Sequence, residues 1–312
     1  MKTAFVFPGQ GAQKVGMGKD LFDSSDRVKN IFKQADNALD EDFQKLIFEG
    51  PADDLTLTAN TQPAILTVSI AALEAFKEIT DIKPDFVAGH SLGEFSALVA
   101  NGMLDFSDAV KITRARGTYM QEAVPAGKGA MAAVMKLEED IITQACIEAS
   151  KGEIVSPANF NCPGQIVISG DFNAVERASV LLKEQGGRII PLKVSAPFHC
   201  ELMAPAADKL NKYLRTITIG SADYPLVTNV DAAPNSDSER VKELLVKQVT
   251  STVKWTDSIK YIISQGVDTF FEFGPGSVLA GLISKIDPNV TVISINSVSG
   301  LDKARELLEK TS

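Results

Sequence analysis

Histidine is almost missing from this chain, with His90 and His199 the only two in 312 residues. Any chemistry that needs an imidazole must use one of them. Cysteine is nearly as scarce. Cys146, Cys162 and Cys200 make an odd count, with spacings that fit no zinc motif, so no metal site is supported. The simplest compartment is a reducing one: the cytoplasm, or a plastid if a transit peptide has been removed. No apolar run reaches about 18 residues, which excludes a transmembrane helix. Met1-Lys2 leads straight into an apolar strand pattern, without a signal-peptide layout. Positive charge is in deficit, with 31 Lys and Arg against 40 Asp and Glu, a formal net charge of -9. General binding to nucleic acid or to an anionic membrane is therefore not expected. Internal repeats and low-complexity segments are absent. What remains is ordinary globular composition, 45% hydrophobic and 23% charged, ample for one large domain or two smaller ones.

The most informative stretch is Asp85-Phe86-Val87-Ala88-Gly89-His90-Ser91-Leu92-Gly93-Glu94-Phe95. A short apolar run leads into Gly-x-Ser-x-Gly, and helix-forming residues follow. That is the strand, sharp turn and helix in which a serine becomes an exposed nucleophile. The glycines are expected because the turn leaves no room for side chains and needs positive φ. The following helix would aim N–H groups at an oxyanion beside Ser91. Near the start, Thr3–Phe7 reads as a buried strand running into Pro8-Gly9-Gln10-Gly11-Ala12-Gln13. This loop lacks the G-K-[ST] ending of a P-loop and the G-x-G-x-x-G order of a dinucleotide turn. It is either a backbone N–H donor loop held near a reacting group or a plain glycine-rich turn.

Residues 27–60 read as irregular helix. Thr61-Gln62-Pro63 starts an apolar, buried helix capped by Thr61. Another helix starts at Asp105. Stepping 100° per residue from Ala109 places Ile112, Arg116, Met120 and Ala123 on one inward face, while Arg114 points to solvent. A guanidinium inside that stripe needs an anion, either an internal Asp or Glu or the carboxylate of a substrate. Residues 125–196 follow a β-α-β-β-α-β order, with strands at Gly129–Lys136, Glu153–Asn161, Gln165–Gly170 and Arg188–Ser195, the ferredoxin-like pattern. Pro125-Ala126-Gly127 and Ala196-Pro197 give hinge signals at its ends. The organisation expected is an α/β fold with a mostly parallel sheet. Residues 1–124 plus 197–312 form a large domain, 125–196 a small inserted one, with a cleft between them. In the large domain's second half, strands are expected at Tyr224–Val230, Thr269–Phe273 and Val290–Ile295, alternating with helices.

A serine nucleophile needs a base. His90 adjoins Ser91, and neighbouring side chains on a tight elbow point apart. His199 is the other imidazole and follows Ser91 in the chain order that hydrolase-like folds use. A lysine or carboxylate base stays open on this reading. Cys200 beside His199 reads as a buried small residue rather than half of a Cys–His pair. No aspartate stands out as a third member.

Phe7-Pro8-Gly9-Gln10-Gly11, Gly89-His90-Ser91-Leu92-Gly93-Glu94, Arg116-Gly117, Pro197-Phe198-His199 and Phe273-Gly274-Pro275-Gly276 together resemble the malonyl-CoA:acyl carrier protein transacylase family, in order and over nearly the whole chain. The resemblance implies an α/β-hydrolase-like large domain with a ferredoxin-like insert, and ping-pong malonyl transfer in type II fatty-acid synthesis. The partners it implies are malonyl-CoA and acyl carrier protein, with no cofactor beyond the CoA thioester substrate, no metal, and a monomeric enzyme. By the same resemblance Ser91 is the nucleophile and His199 the base. Gln10 and Leu92 supply oxyanion-hole N–H groups, Arg116 pairs with the malonyl carboxylate, and the Gln248 main-chain carbonyl holds the histidine ring. Asn159 and Asn161 border the pocket. Phe198 restricts space at the malonyl α-carbon, since related modular acyltransferases carry an aromatic here with malonyl and a serine with methylmalonyl. Three rivals remain: a polyketide-pathway acyltransferase, a serine thioesterase or esterase, and a non-catalytic carrier-protein-binding domain.

Overall fold

The computed structural model describes residues 1–194 and 196–311. It opens with β1 (Thr3–Phe7), buried at all five positions. An apolar run without alternation belongs to a strand covered on both faces. Four short helices follow, α1 (Lys19–Ser24), α2 (Asp26–Leu39), α3 (Phe43–Glu49) and α4 (Ala52–Thr56). Next comes α5 (Thr58–Phe76), in which every residue from Thr61 to Leu73 is buried. This helix begins three residues before the expected Thr61. The N–H of Thr61 already bonds to Leu57 O at 2.8 Å, and its hydroxyl donates back to Leu55 O at 2.6 Å rather than capping. Then come β2 (Phe86–Gly89), α6 (Gly93–Ala100) and α7 (Phe106–Glu122). Asp105 caps α7, accepting from the Ser107 and Asp108 N–H groups at 2.8 and 3.2 Å.

The middle of the chain runs β3 (Gly129–Met135), α8 (Glu139–Ser150), β4 (Val155–Cys162), β5 (Gln165–Asp171), α9 (Phe172–Glu184) and β6 (Arg188–Pro191). These strands form their own antiparallel sheet in the order β4-β5-β3-β6. The period of two along β3 sorts its faces. Ala132 and Val134 pack with Ile142, Val175 and Leu182 of α8 and α9, while Met131 and Ala133 turn to the main core. β6 is shorter than the expected Arg188–Ser195. Pairing to β3 ends at Pro191 opposite Ala132, and Ser195 lies outside the described residues.

A 3-10 turn (Glu201–Met203) precedes α10 (Ala204–Leu214), β7 (Leu226–Val227), β8 (Pro234–Asn235), α11 (Ser238–Gln248) and α12 (Trp255–Ser264). The chain finishes with β9 (Thr269–Phe273), α13 (Val278–Ile286), β10 (Thr291–Ile295) and α14 (Val298–Thr311). The larger sheet has the order β10-β9-β1-β2-β7-β8 and is parallel except for the β7–β8 pair. One face of its centre packs Phe5, Phe7, Phe271 and Phe273 against α5, with ring centroids of Phe5 and Phe273 4.8 Å apart. The opposite face packs Ala4, Val6 and Phe270 on Ile259, Leu279 and Ile283. Glu272, buried in β9, caps α13 by accepting from the Leu279 and Ala280 N–H groups at 2.9 and 3.0 Å.

Two details of this frame place the site. First, β1 and β2 pair in parallel with Phe7 opposite Gly89, so both strands end together. The Pro8–Gln13 loop and the Gly89–Gly93 turn therefore lie side by side at the carboxyl edge of the sheet, where open α/β sheets bind ligands. Second, α7 presses on the start of α5. A Cβ on Gly117 would stand 2.4 Å from Thr58 O, so only glycine allows this approach. The contact fixes how far Arg116 reaches inward. Gly117→Ala is expected to cost about 1–3 kcal/mol of stability by forcing the helices apart. A thermal melt tests this, and an unchanged melting temperature would mean the α5–α7 contact yields freely.

Candidate active site

The turn after β2 holds the candidate nucleophile. Its glycines are there for space, not for left-handed backbone. A Cβ on Gly89 would sit 1.9 Å from Gly93 backbone atoms, one on Gly93 2.0 Å from Phe7 O, and one on Gly9 2.5 Å from His90 O. The positive φ falls instead on Ser91, at 51°. This corrects the expectation that the flanking glycines would carry it. A non-glycine residue in that region is strained and must be held by its surroundings. Asn229 does the holding. Its Oδ1 accepts from the Ser91 N–H at 2.7 Å, and its Nδ2 donates to Gly89 O at 2.6 Å. This also accounts for β7 ending at Val227 rather than at the expected Val230, since past that point the chain turns to present Asn229.

His199, in the segment between β6 and the 3-10 turn, reaches Ser91. Its Nε2 lies 2.8 Å from Ser91 Oγ, and its Nδ1 lies 2.8 Å from the Gln248 main-chain oxygen. A carbonyl oxygen can only accept, so Nδ1 carries the proton and Nε2 is free to take one from the serine. Burial, and after it the nearby Arg116 charge, push the imidazole pKa down to about 3. Like Ser91, His199 has a positive φ, 60°. His90 is turned elsewhere, with its Nε2 2.8 Å from Asn161 Oδ1 and its ring edge-on to Trp255. Cys200 is buried with Sγ 3.1 Å from Pro197 O, and burial pushes its thiol pKa up.

Arg116 comes from the inward stripe of α7 and is 1% exposed. Among the described residues no carboxylate forms an ion pair with it. Its Nη1 donates to Gln62 Oε1 at 2.7 Å, and its Nη2 donates to Gln248 Oε1 at 2.8 Å and Ser91 Oγ at 3.2 Å. Its Nε has no partner among the described residues. Loss of hydration draws its pKa down to about 10, still well above neutral, so the charge persists. Arg114 does not point to solvent as expected. It is partly buried, bonded to Glu41 and Asn60 and lying over the Phe43 ring, because α7 is flanked there by α3 and the start of α5.

Gln248 ties these groups together. Its backbone oxygen holds His199 and its Oε1 holds Arg116. Its Nε2 donates to Glu94 Oε2 at 2.8 Å and to Ser91 O at 3.1 Å. Only the backbone role was foreseen. Gln62, Glu94 and Asn229 were not foreseen as site residues. The signal available for them was a polar residue interrupting an apolar run, as Gln62 does in α5 and Glu94 in the elbow helix.

A cavity of about 520 Å³ opens over Ser91 and is lined by Gln10, Leu92, Arg116, Asn159, Phe198 and Met131, among others. No acceptor among the described residues takes the backbone N–H of Gln10 or Leu92, so both remain available to an oxyanion. Asn161, expected at the pocket border, instead pairs with His90. Among the described residues no group of three or more His, Cys, Asp or Glu could hold a metal ion. No helix there is long and apolar enough to cross a membrane.

A sequence model of the acyl transferase domain matches residues 4–297. The chain belongs to this family. It is 49% identical over 311 residues to the malonyl CoA-acyl carrier protein transacylase of Bacillus subtilis (strain 168), covering 99% of this chain and 98% of that one. With the Escherichia coli (strain K12) protein of the same name the identity is 47%, covering 97% and 99%. Among solved structures, an acyl carrier protein S-malonyltransferase from Vibrio cholerae superposes with a TM-score of 0.96 at 45% identity, covering 97% of this chain and all of that one. A malonyl-transacylase solved with its type II PKS acyl-carrier protein gives a TM-score of 0.96 at 43% identity, covering 98% and 100%. The fold of this acyltransferase is thus the mixed α/β fold of those enzymes, with a mostly parallel sheet and a separate antiparallel one.

The geometry makes a claim about His199 that solution NMR can check. With its pKa lowered to about 3, the ring should stay neutral, protonated on Nδ1, at pH about 5, where an ordinary imidazole would be mostly charged. A nitrogen spectrum showing titration near the ordinary value of 6.5 would refute the buried, carbonyl-held ring.

Proposed function

We propose that this acyltransferase moves the malonyl group from malonyl-CoA to the phosphopantetheine thiol of an acyl carrier protein, in fatty-acid synthesis, through a malonyl ester of Ser91. The observation that carries the reading is Arg116: a buried guanidinium that, among the described residues, no carboxylate contacts directly, within reach of whatever acyl group Ser91 holds. A malonyl group is one methylene and one carboxylate beyond the thioester carbonyl, so its free end meets that charge.

In the first half-reaction His199 Nε2 takes the Ser91 proton while Oγ attacks the thioester carbonyl. The oxyanion is met by the Gln10 and Leu92 N–H groups. The tetrahedral adduct expels the CoA sulfur, which receives the proton from His199. In the second half-reaction His199 removes the proton of the carrier thiol. The sulfur attacks the serine ester, and the proton returns to Ser91 Oγ. Phe198 crowds the α-carbon of the acyl group and favours malonyl over branched homologues. Water is disfavoured as acceptor because Arg116, Phe198 and Met131 enclose the ester. The scheme calls on no cofactor beyond the CoA thioester, and we propose that the enzyme acts as a monomer.

We place the domain boundaries at 124/125 and 196/197, so that residues 125–196 close one side of the cleft. The separate apolar cluster of β3, α8, β5 and α9 supports that division. A polyketide carrier protein is the second acceptor to consider, since one neighbouring structure is a transacylase bound to such a carrier. Relative kcat/KM on the two carrier types separates the readings.

Brief exposure to malonyl-CoA should add one malonyl group to the Ser91 peptide, seen by mass spectrometry, and Ser91→Ala should abolish it. Label retained in that variant would overturn the nucleophile assignment. Arg116→Ala should lower malonyl transfer far more than acetyl transfer. A charge-assisted bidentate pair is worth about 2–4 kcal/mol, a relative loss of roughly 30- to 1000-fold in kcat/KM. Equal losses on both donors would make Arg116 structural.

A further inference from the structure

Glu94 lies at the start of α6, 1% exposed, beneath the turn that carries Ser91. Its Oε2 accepts from the Asn229 N–H at 3.0 Å and from Gln248 Nε2 at 2.8 Å. Its Oε1 is buried and has no hydrogen-bond partner among the described residues. The same Gln248 amide accepts from Arg116 Nη2 through Oε1. One amide thus stands between a buried carboxyl and a buried guanidinium, its carbonyl toward the cation and its NH₂ toward the anion. This polarises it in the sense that links the two charges.

Resting on the transferase reading above, we infer that Glu94 is the resident counter-anion of Arg116, relayed through the Gln248 side chain. We further infer that Glu94 takes up a proton from solvent when a substrate carboxylate pairs with that guanidinium. Two anions facing one cation in a dry site repel, and the site relieves this by neutralising one of them. The substrate carboxylate gains two-pronged contact with the guanidinium, whereas Glu94 meets it only through an amide, so Glu94 is the one protonated. Oε1, which accepts nothing, is the atom that receives the proton.

The surrounding groups single out Glu94 at neutral pH. Arg116 on α7 favours its charged form. Asp231, beyond β7, disfavours it but is itself tied to Arg240 at 2.8 Å. His199 and His90 both have lowered pKa values and remain neutral. Burial raises the Glu94 carboxyl to about 7, so it is largely ionised at pH about 8 and ready to take a proton.

The test counts protons with an indicator dye in weak buffer at pH about 8, during acylation of the intact enzyme by malonyl-CoA or by acetyl-CoA. Each count is normalised to the Ser91 adduct seen by mass spectrometry. Thiol release is common to both donors and cancels. The malonyl arm should take up about 0.3–1 more proton per adduct than the acetyl arm. The excess should fade as pH falls well below about 7, where Glu94 already carries the proton. Glu94→Gln should abolish it. A malonyl adduct formed with no excess uptake, or an excess that survives in Glu94→Gln, overturns the inference and leaves the transferase reading standing. Absence of any malonyl adduct on Ser91 overturns both. Should Glu94→Gln not fold, the infrared difference between wild-type enzyme acylated by carboxyl-13C-labelled malonyl-CoA and by acetyl-CoA decides: a carboxylic acid band unshifted by the label belongs to the protein and supports the inference, and its absence or its shift with the label overturns it.

Discussion

A positive charge buried without a carboxylate partner is the constraint from which most of this structure follows. Removing a guanidinium from water costs several kcal/mol unless neighbours replace the lost hydration. Here the replacement is deliberately incomplete. Gln62, Gln248 and Ser91 supply neutral oxygens, and among the described residues no Asp or Glu forms an ion pair with it. Neutral acceptors hold the guanidinium in place without satisfying its charge. A site built this way leaves the guanidinium without direct contact to an anion, and only a strong surrounding scaffold can maintain it. That scaffold is visible in Gly117, whose bare Cα lets α7 lie against α5, and in the apolar helix α5 that carries Gln62.

The strain at Ser91 and His199 depends on the same network. Both residues adopt positive φ, and neither is glycine. The Ser91 conformation is stabilised by Asn229 on its N–H and by Gln248 on its carbonyl. His199 is stabilised by the Gln248 backbone. One glutamine at the end of α11 therefore touches the Ser91 backbone, the His199 ring, Arg116 and Glu94. Its amide orientation is fixed by its partners, because the reversed group would aim NH₂ at guanidinium donors.

Ser91, His199 and Arg116 were legible in the sequence because each has a local signature. The serine sits in a five-residue motif, the arginine on a helical phase, and the histidine is one of only two. The structure brings His199 and Arg116 each within hydrogen-bond reach of Ser91 Oγ. The α/β class and the βαββαβ order were equally legible, since strand and helix periodicity are local properties. Asn229, Glu94, Gln62 and the Gln248 side chain were not, because their partners lie up to 157 residues away. No window of sequence reports a contact at that range. The shortened β7 has the same cause: Thr228-Asn229-Val230 has strand-forming neighbours, but the long-range demand to support Ser91 overrides propensity. Arg114 was misplaced because helical phase gives a direction and not the neighbours that wait there.

The backbone carbonyl in place of an aspartate behind His199 becomes intelligible in the same terms. An aspartate would orient the ring equally well and would raise its basicity. It would also put a second full negative charge beside Arg116. The guanidinium would then have an internal partner, and an incoming carboxylate would meet a neutralised site. A carbonyl oxygen fixes the Nδ1 tautomer with a dipole rather than a charge. The cost is a base held at low pKa by burial and by Arg116. After burial, the Arg116 charge is what most lowers the imidazole. The carbonyl behind His199 thus spares the guanidinium a directly contacting carboxylate.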